Sequence, residues 1–303
     1  RALRPGDHIA VVAPASPFDR DEFHNGIAEL ERLGFRPVYD ESVFAREAYV
    51  SGPAALRRDA LRRAWQDPSV AGVLAVRGGY GSVHALPWLS ADEIRDAPKA
   101  FIGYSDLTTI LTHLTINCGL VCFHGPMLDR RLSRGEQGYD RQSFLNCVTR
   151  SEPAGELPAP GLEILKTGDA EALLYGGNLT QLVASLGTPY AFRPSQPYVL
   201  FLEDVGERPY RLDRMVTQLR LSGALDLAVA VVIGELLNCD EPGGDYTGRS
   251  TMANLFRDFP GPVVFGFPSG HTTGPLVTLP LGVRVRVAAN AQPRVIVEEA
   301  AVE

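Results

Sequence analysis

The chain is poor in the features that announce several large classes of protein. Its four cysteines, Cys118, Cys122, Cys147 and Cys239, form no Cys-x-x-Cys pair. No disulfide framework or metal-ligand set is therefore read from them, and they are expected to be reduced, mostly buried thiols of an intracellular protein. No apolar run approaches the roughly 18 residues that suggest a membrane-spanning helix. No signal-peptide pattern is present either, so the cytoplasm is the expected location, although a chain that starts at Arg1 leaves a trimmed leader open. Basic charge is scarce as well. Lys and Arg number 29 against 36 Asp and Glu, a net charge of −7, and the short pairs Arg62-Arg63 and Arg130-Arg131 make no basic stripe. Nucleic acid is disfavoured as a partner. Internal repeats and low-complexity tracts are absent.

What is present suits an α/β enzyme. The 303 residues are 45% hydrophobic, enough for one large domain or two modest ones, and 30 glycines with 23 prolines fit a loop-rich enzyme better than a disordered chain. Strand and helix signals alternate through the first half. Residues 8–13 read as a strand, 19–33 as a helix closed by Gly34, 36–39 as a strand, 54–66 as a helix, and 70–76 as a strand that runs into the glycine loop Arg77-Gly78-Gly79-Tyr80-Gly81. A strand then leads into Ser105, a helix covers about 107–117, and a strand over 119–123 precedes His124-Gly125-Pro126. This rhythm predicts a parallel sheet with helices on both faces. Residues 151–168 are turn-forming and aperiodic and read as a linker. Beyond it lie the turn Tyr175-Gly176-Gly177-Asn178, a strong strand over 198–202, helical spacing at Leu212, Met215, Val216 and Leu219, a buried strand over 229–233, and β-alternation at Val283, Val285, Val287, Val295 and Val297. We therefore expect an N-terminal unit over 1–150, a linker over 151–168, and a C-terminal mixed α/β unit over 169–303 that is richer in β-structure.

Ser105 is the first candidate for chemistry. It stands where an apolar strand breaks at Gly103 and a helix begins, the turn at which α/β hydrolases present a nucleophile. The plain alternative is a helix N-cap, although no Glu or Gln at position 108 completes a capping box. A serine needs a base and the base needs a carboxylate. Of six histidines, His124 and His271 sit in Gly- and Pro-containing loops, and His271, within Gly270-His271-Thr272-Thr273-Gly274-Pro275, has the more telling setting. Glu203 follows a buried strand directly, at the strand end where open sheets place functional groups. A backbone-bonded loop histidine and an acidic helix cap are the plain readings of these two.

Read together, several segments resemble the LD-carboxypeptidase (murein tetrapeptide carboxypeptidase) family of serine peptidases, which includes microcin C immunity proteins. They are Arg77-Gly78-Gly79-Tyr80-Gly81, Phe101-Ile102-Gly103-Tyr104-Ser105-Asp106-Leu107-Thr108, His124-Gly125-Pro126-Met127, Gly176-Gly177-Asn178-Leu179, Phe201-Leu202-Glu203-Asp204, Tyr210-Arg211-Leu212-Asp213-Arg214-Met215 and Gly270-His271. The resemblance spans nearly the whole chain in one order. It implies a flavodoxin-like or amidotransferase-like parallel N-terminal sheet and a cleft between two units. It also implies a triad of Ser105, Glu203 and His271, with a backbone N–H of Gly79 in the oxyanion hole. The N–H of Asp106, at the helix start, is the natural second donor. Asn178 is a candidate for bonding substrate, against the reading of a left-handed turn residue. Arg77, Arg208 and Arg211 are candidates for gripping a terminal carboxylate.

The implied activity is removal of the terminal D-alanine from murein tetrapeptides in peptidoglycan recycling. A small peptide would be the partner, with no cofactor, metal, nucleic acid or membrane, and homodimers are common in such a family. The alternative within the family is a microcin C immunity-type hydrolase of aminoacyl-nucleotide amides. That reaction wants an aromatic platform for the base, and the chain has only two tryptophans, Trp65 and Trp88, both in its first half. A two-lobed binding protein using Ser105 as a ligand contact is a further alternative. A class I amidotransferase is disfavoured, because it needs cysteine where Ser105 stands.

Overall fold

The structure, a computed structural model, describes residues 1–303. The N-terminal half folds as β1 (His8–Val12), α1 (Arg20–Arg32), β2 (Arg36–Val38), α2 (Ala54–Gln66), β3 (Val70–Ala75), α3 (Ala91–Asp96), β4 (Ala100–Gly103), α4 (Thr108–Thr112), β5 (Cys122–His124) and α5 (Arg141–Thr149). The C-terminal half adds β6 (Gly155–Glu156), β7 (Glu163–Lys166), β8 (Gly168–Asn178), α6 (Leu179–Ser185), β9 (Tyr198–Glu203), α7 (Pro209–Leu221) and β10 (Ala228–Gly234). It ends with α8 (Gly248–Leu255), β11 (Val263–Phe267), β12 (Leu279–Leu281), β13 (Arg284–Ala289) and β14 (Arg294–Val297).

Two sheets result, in the α/β class expected. The first has the order β12-β5-β4-β3-β1-β2, with β1 to β5 all parallel. Every residue of β3 and β4 is buried, as in a parallel sheet covered on both faces. The second has the order β6-β14-β13-β8-β9-β10-β11-β7. Its centre, β8 to β11, is parallel and its flanks are antiparallel.

Three features depart from the pattern in the sequence. The stretch 151–168 connects the halves but also holds β6 and β7, short strands that pair with β14 and β11. Strands this short carry too little periodicity to stand out among Pro and Gly. The helix after Ser105 is composite: a 3₁₀ turn at Ser105–Leu107, then α4, then a π-turn at His113–Asn117. Thr115 Oγ1 donates to the carbonyls of Leu111 and Thr112, competing with the helix ladder there. Leu120 N–H still bonds back to Leu114 O, so β5 starts only at Cys122. Finally, β12 crosses into the first sheet and runs antiparallel to β5. Pro280 hides this strand in the sequence, yet at a sheet edge a missing N–H is harmless.

The halves are thereby knitted together. One apolar cluster runs from Phe101 and Leu111 through Phe201 to Val264, and Val302 near the C-terminus packs in the N-terminal core.

Candidate active site

Ser105 follows β4 directly and has φ of +64°, the left-handed region that a serine rarely occupies. The chain turns there to start the helix, and the side chain is left half-buried, as an elbow nucleophile requires. The glycine loop after β3 packs on this elbow. A Cβ at Gly78 would lie 3.0 Å from Ser105 Cβ and 3.2 Å from its Oγ, tighter than an ordinary contact, so glycine suits the loop's close approach. Gly78 O accepts from Ser16 N–H at 3.1 Å, and a planar trans peptide aims the N–H of Gly79 the opposite way. Neither the Gly79 nor the Asp106 N–H donates a hydrogen bond within the chain.

The loop is fastened from below. Ser82 N–H donates to Asp106 Oδ2 at 2.9 Å, and Ser82 Oγ donates to Asp106 O at 2.7 Å. Burial raises the pKa of the Asp106 carboxyl. Arg57, buried in α2, donates to the carbonyls of Pro14, Gly52 and Gly81. Neither Arg57 nor Ser82 was singled out from the sequence. One Arg among several on an amphipathic helix carries no mark of burial.

Glu203 ends β9 and is fully buried. Its Oε2 accepts from His271 Nδ1 at 2.7 Å and from the His271 backbone N–H at 3.0 Å. Gly270 makes this approach possible, since a Cβ there would sit 2.5 Å from Glu203 Oε2. Burial pushes the Glu203 carboxyl upward, but the charge and hydrogen bonds of His271 outweigh it and hold the pKa at about 2. Burial pulls His271 down while Glu203 pulls it up, and the net direction is upward. Asp204 beside it is raised to about 6, first by burial and then by the Glu203 charge.

His124, the rival histidine, is fully buried on Phe201 and hydrogen-bonded through Nδ1 to Ser269 Oγ at 3.0 Å; burial lowers it to about 4. It hydrogen-bonds to neither Glu203 nor Asp204.

Asn178 departs from the left-handed reading. Its φ is −67°, so it is not a left-handed turn residue but the N-cap of α6, accepting from Gln181 N–H. Its amide donates to Glu203 Oε1 at 3.2 Å and Asp204 Oδ1 at 3.1 Å, and the residue is buried. The side chain supports Glu203 and has no donor left for a substrate. The preceding glycines allow the contact between halves: Asn178 N–H donates to Thr108 Oγ1 at 3.0 Å.

Ser105 and His271 come from opposite halves, and the Tyr104 ring meets the His271 ring edge-on at 5.2 Å between centroids. Ser105 Oγ itself is not hydrogen-bonded to the imidazole. Among the candidate cations, Arg77 adjoins the glycine loop and is 29% exposed, bonded once to Asp129 at 3.2 Å, which leaves donors free. Arg208 pairs with Glu241, and Arg211 with Glu207 and the Tyr210 hydroxyl. No group of three or more His, Cys, Asp or Glu is placed to hold a metal ion, and no helix is long and apolar enough to cross a membrane.

A strand-to-helix serine in one half and a buried carboxylate–histidine pair in the other, on an α/β frame, are the parts of a hydrolytic enzyme. The chain belongs to the LD-carboxypeptidase family: the model of that family's N-terminal domain matches residues 9–125, and the C-terminal domain model matches residues 171–287. A probable murein peptide carboxypeptidase of Bacillus subtilis is 31% identical over 100% of this chain and 94% of its own length. The crystal structure of a muramoyltetrapeptide carboxypeptidase from Oxalobacter formigenes superposes with a TM-score of 0.82 at 29% identity, covering 95% of this chain and 97% of that one. The microcin C7 self-immunity protein MccF in complex with glutamyl sulfamoyl guanosine has the same fold, with a TM-score of 0.88 at 24% identity over 99% of this chain and 98% of that one.

Proposed function

We propose that this chain is a serine-type LD-carboxypeptidase that removes the terminal D-alanine from murein tetrapeptides during peptidoglycan recycling. Ser105 is the nucleophile, His271 its base, and Glu203 the carboxylate that orients and charges the base. The observation that carries this reading is the Glu203–His271 contact at 2.7 Å, whose imidazole meets the ring of Tyr104, the residue just before the strained Ser105 turn. Glu203, as an anion, can only accept, so Nδ1 carries the proton and Nε2 is left free to take one from Ser105. As the hydroxyl oxygen attacks the scissile carbonyl, that proton passes to His271 and then to the leaving amine of D-alanine. The unpaired N–H groups of Gly79 and Asp106 receive the developing oxyanion. Arg77, with donors to spare beside the loop, is the best placed cation for the terminal carboxylate. A cytoplasmic setting agrees with four free and buried cysteines.

The test is release of D-alanine from a synthetic murein tetrapeptide by the wild type and by Ser105→Ala, beside an aminoacyl sulfamoyl adenylate. Release by the wild type alone supports the proposal. Cleavage of the adenylate with the peptide left intact replaces it with the immunity-type reaction.

A further inference from the structure

We propose that Arg131 is a positioning residue that clasps the His271 loop onto the nucleophile elbow from the opposite half of the chain. The inference rests on the serine-hydrolase reading of the site and extends it to a residue outside the triad.

Arg131 belongs to the N-terminal half, in the segment after β5. Its Nη2 donates to Gly270 O at 2.7 Å and to Thr272 O at 3.3 Å, the carbonyls on either side of His271. Its Nη1 donates to Gly274 O at 3.2 Å in the same loop and to Gly138 O at 3.3 Å. Its Nε donates to the Tyr104 hydroxyl at 3.4 Å, and the guanidinium carbon lies 5.8 Å from the centre of that ring. Tyr104 precedes Ser105 and touches the His271 ring. One planar cation thus spans the loop that carries the base and the neighbour of the nucleophile. Arginine suits the task because its donors form a rigid fork; an ammonium is a point charge on a flexible stem.

The surroundings are shaped for this side chain. Arg130 takes a φ of +58°, unusual for a residue with a side chain, at the turn into Arg131. A Cβ at Gly138 would fall 2.2 Å from Arg131 O, so the turn that follows closes only on glycine. Arg131 has no carboxylate partner, and its hydrogen bonds go to carbonyls and a phenol. The charge is thereby left to act on the site. The groups that face His271 are Glu203 and Asp204 from the end of β9, which raise its pKa, and Arg131, which lowers it; His124 and Tyr104 pack close by. Arg131 therefore fixes where the imidazole stands and tempers how strongly it holds a proton.

The test compares Arg131→Met and Arg131→Lys with the wild type, after thermal unfolding has shown which variants fold. The first readout is the rate at which a fluorophosphonate probe labels Ser105, measured against pH; it needs no knowledge of the natural substrate. The second is kcat and KM for D-alanine release. R131M is expected to slow labelling and kcat about 10- to 100-fold, with KM within about twofold, because misplacing a catalytic group by about 1 Å costs on that order. The acid limb of its profile should move to higher pH, since a cation near the imidazole is gone. R131K should restore the limb and recover only part of the rate. A folded R131M that labels at the wild-type rate with its limb unmoved overturns the proposal. Where R131M does not fold, R131K decides: tenfold slower labelling at an unchanged Tm supports the clasp, and wild-type labelling overturns it. A wild type that labels but frees no D-alanine, with R131M slowed, supports the clasp while the carboxypeptidase reading fails.

Discussion

Glu203 Oε2 receives two hydrogen bonds from His271, one from the ring Nδ1 and one from the backbone N–H. The pair of bonds fixes the ring's tautomer and its rotation together, because a single oxygen holds both the side chain and the chain that bears it. That oxygen cannot drift. It lies at the end of a fully buried strand, and Asn178 grips the other carboxylate oxygen.

Replacing Glu203 by Gln keeps the shape and removes the charge. The charge is a main reason that the pKa of His271 stands above its usual value. In Glu203→Gln the acid limb of kcat/KM should therefore move to lower pH, while kcat falls about 10³- to 10⁴-fold as the imidazole loses its enforced tautomer. A pH–rate profile of D-alanine release checks both. A limb that stays in place would mean that the carboxylate does not govern the base.

In the wild type, the same shift sets activity and stability against each other. His271 acts as a base only when neutral, so activity should appear as pH rises through its folded pKa, which lies above the ordinary 6.5. The stability from the charged pair has the opposite dependence on the histidine. It is fully present below the unfolded histidine value and is lost as pH rises through the raised folded one. The Glu203 share is present above the unfolded carboxyl value and fades as pH falls toward about 2. Above pH 6.5, Tm should fall as kcat/KM rises, and His271→Gln should flatten the Tm profile there.

Much of this arrangement was legible in the sequence, and the illegible parts share a physical character. The β3 and β4 runs, the Ser105 elbow, and the strand ending at Glu203 announce themselves through continuous apolar residues broken by Gly or a polar residue. Local chemistry determines them, so a local reading finds them. Arg57, Ser82 and Arg131 each reach partners far along the chain, at separations of 43, 24 and 143 residues for Arg57–Pro14, Ser82–Asp106 and Arg131–Gly274. Nothing near them in the chain shows which carbonyls they meet. The Gly-Gly-Asn turn marks Asn178 in the sequence but not its task, because its bonds to Glu203 and Asp204 exist only once β8 and β9 lie side by side in register. Strand β12 was missed for the same reason: Leu-Pro-Leu becomes a strand only where β5 offers an edge.

Strain at Ser105 predicts a separation of two variants that are equally inactive. Both Ser105→Ala and Ser105→Gly remove the hydroxyl and should abolish hydrolysis and probe labelling. Alanine keeps a Cβ at φ of +64°, whereas glycine accepts that conformation freely. Ser105→Gly should therefore be the more stable of the two by about 1 kcal/mol, a shift of about 2 °C in Tm for a chain of this size. Denaturant unfolding of the two proteins side by side gives the difference, and an advantage for alanine would show that the turn is not strained.

The contact between Gly177 and Thr108 predicts how the two halves are held in register. Gly177 has a φ of +145°, and a Cβ there would lie 2.6 Å from Thr108 Oγ1 and 2.8 Å from its Cγ2. Thr108 stands one turn after Ser105, and Gly177 stands just before Asn178, which supports Glu203. Gly177→Ala should destabilise the chain by about 2–4 kcal/mol, combining backbone strain with overpacking. It should also lower kcat more than that loss of folded protein explains, since the clash pushes the halves apart beside Ser105 and Glu203, the proposed catalytic residues. Adding Thr108→Ala removes the two closest atoms but leaves the strain, and it strips Asn178 N–H of its acceptor. The double variant should thus recover part of the stability and little of the activity. Measured unfolding energies for the single and double variants form a cycle whose coupling should exceed about 0.5 kcal/mol. Full additivity would mean that the two residues do not meet.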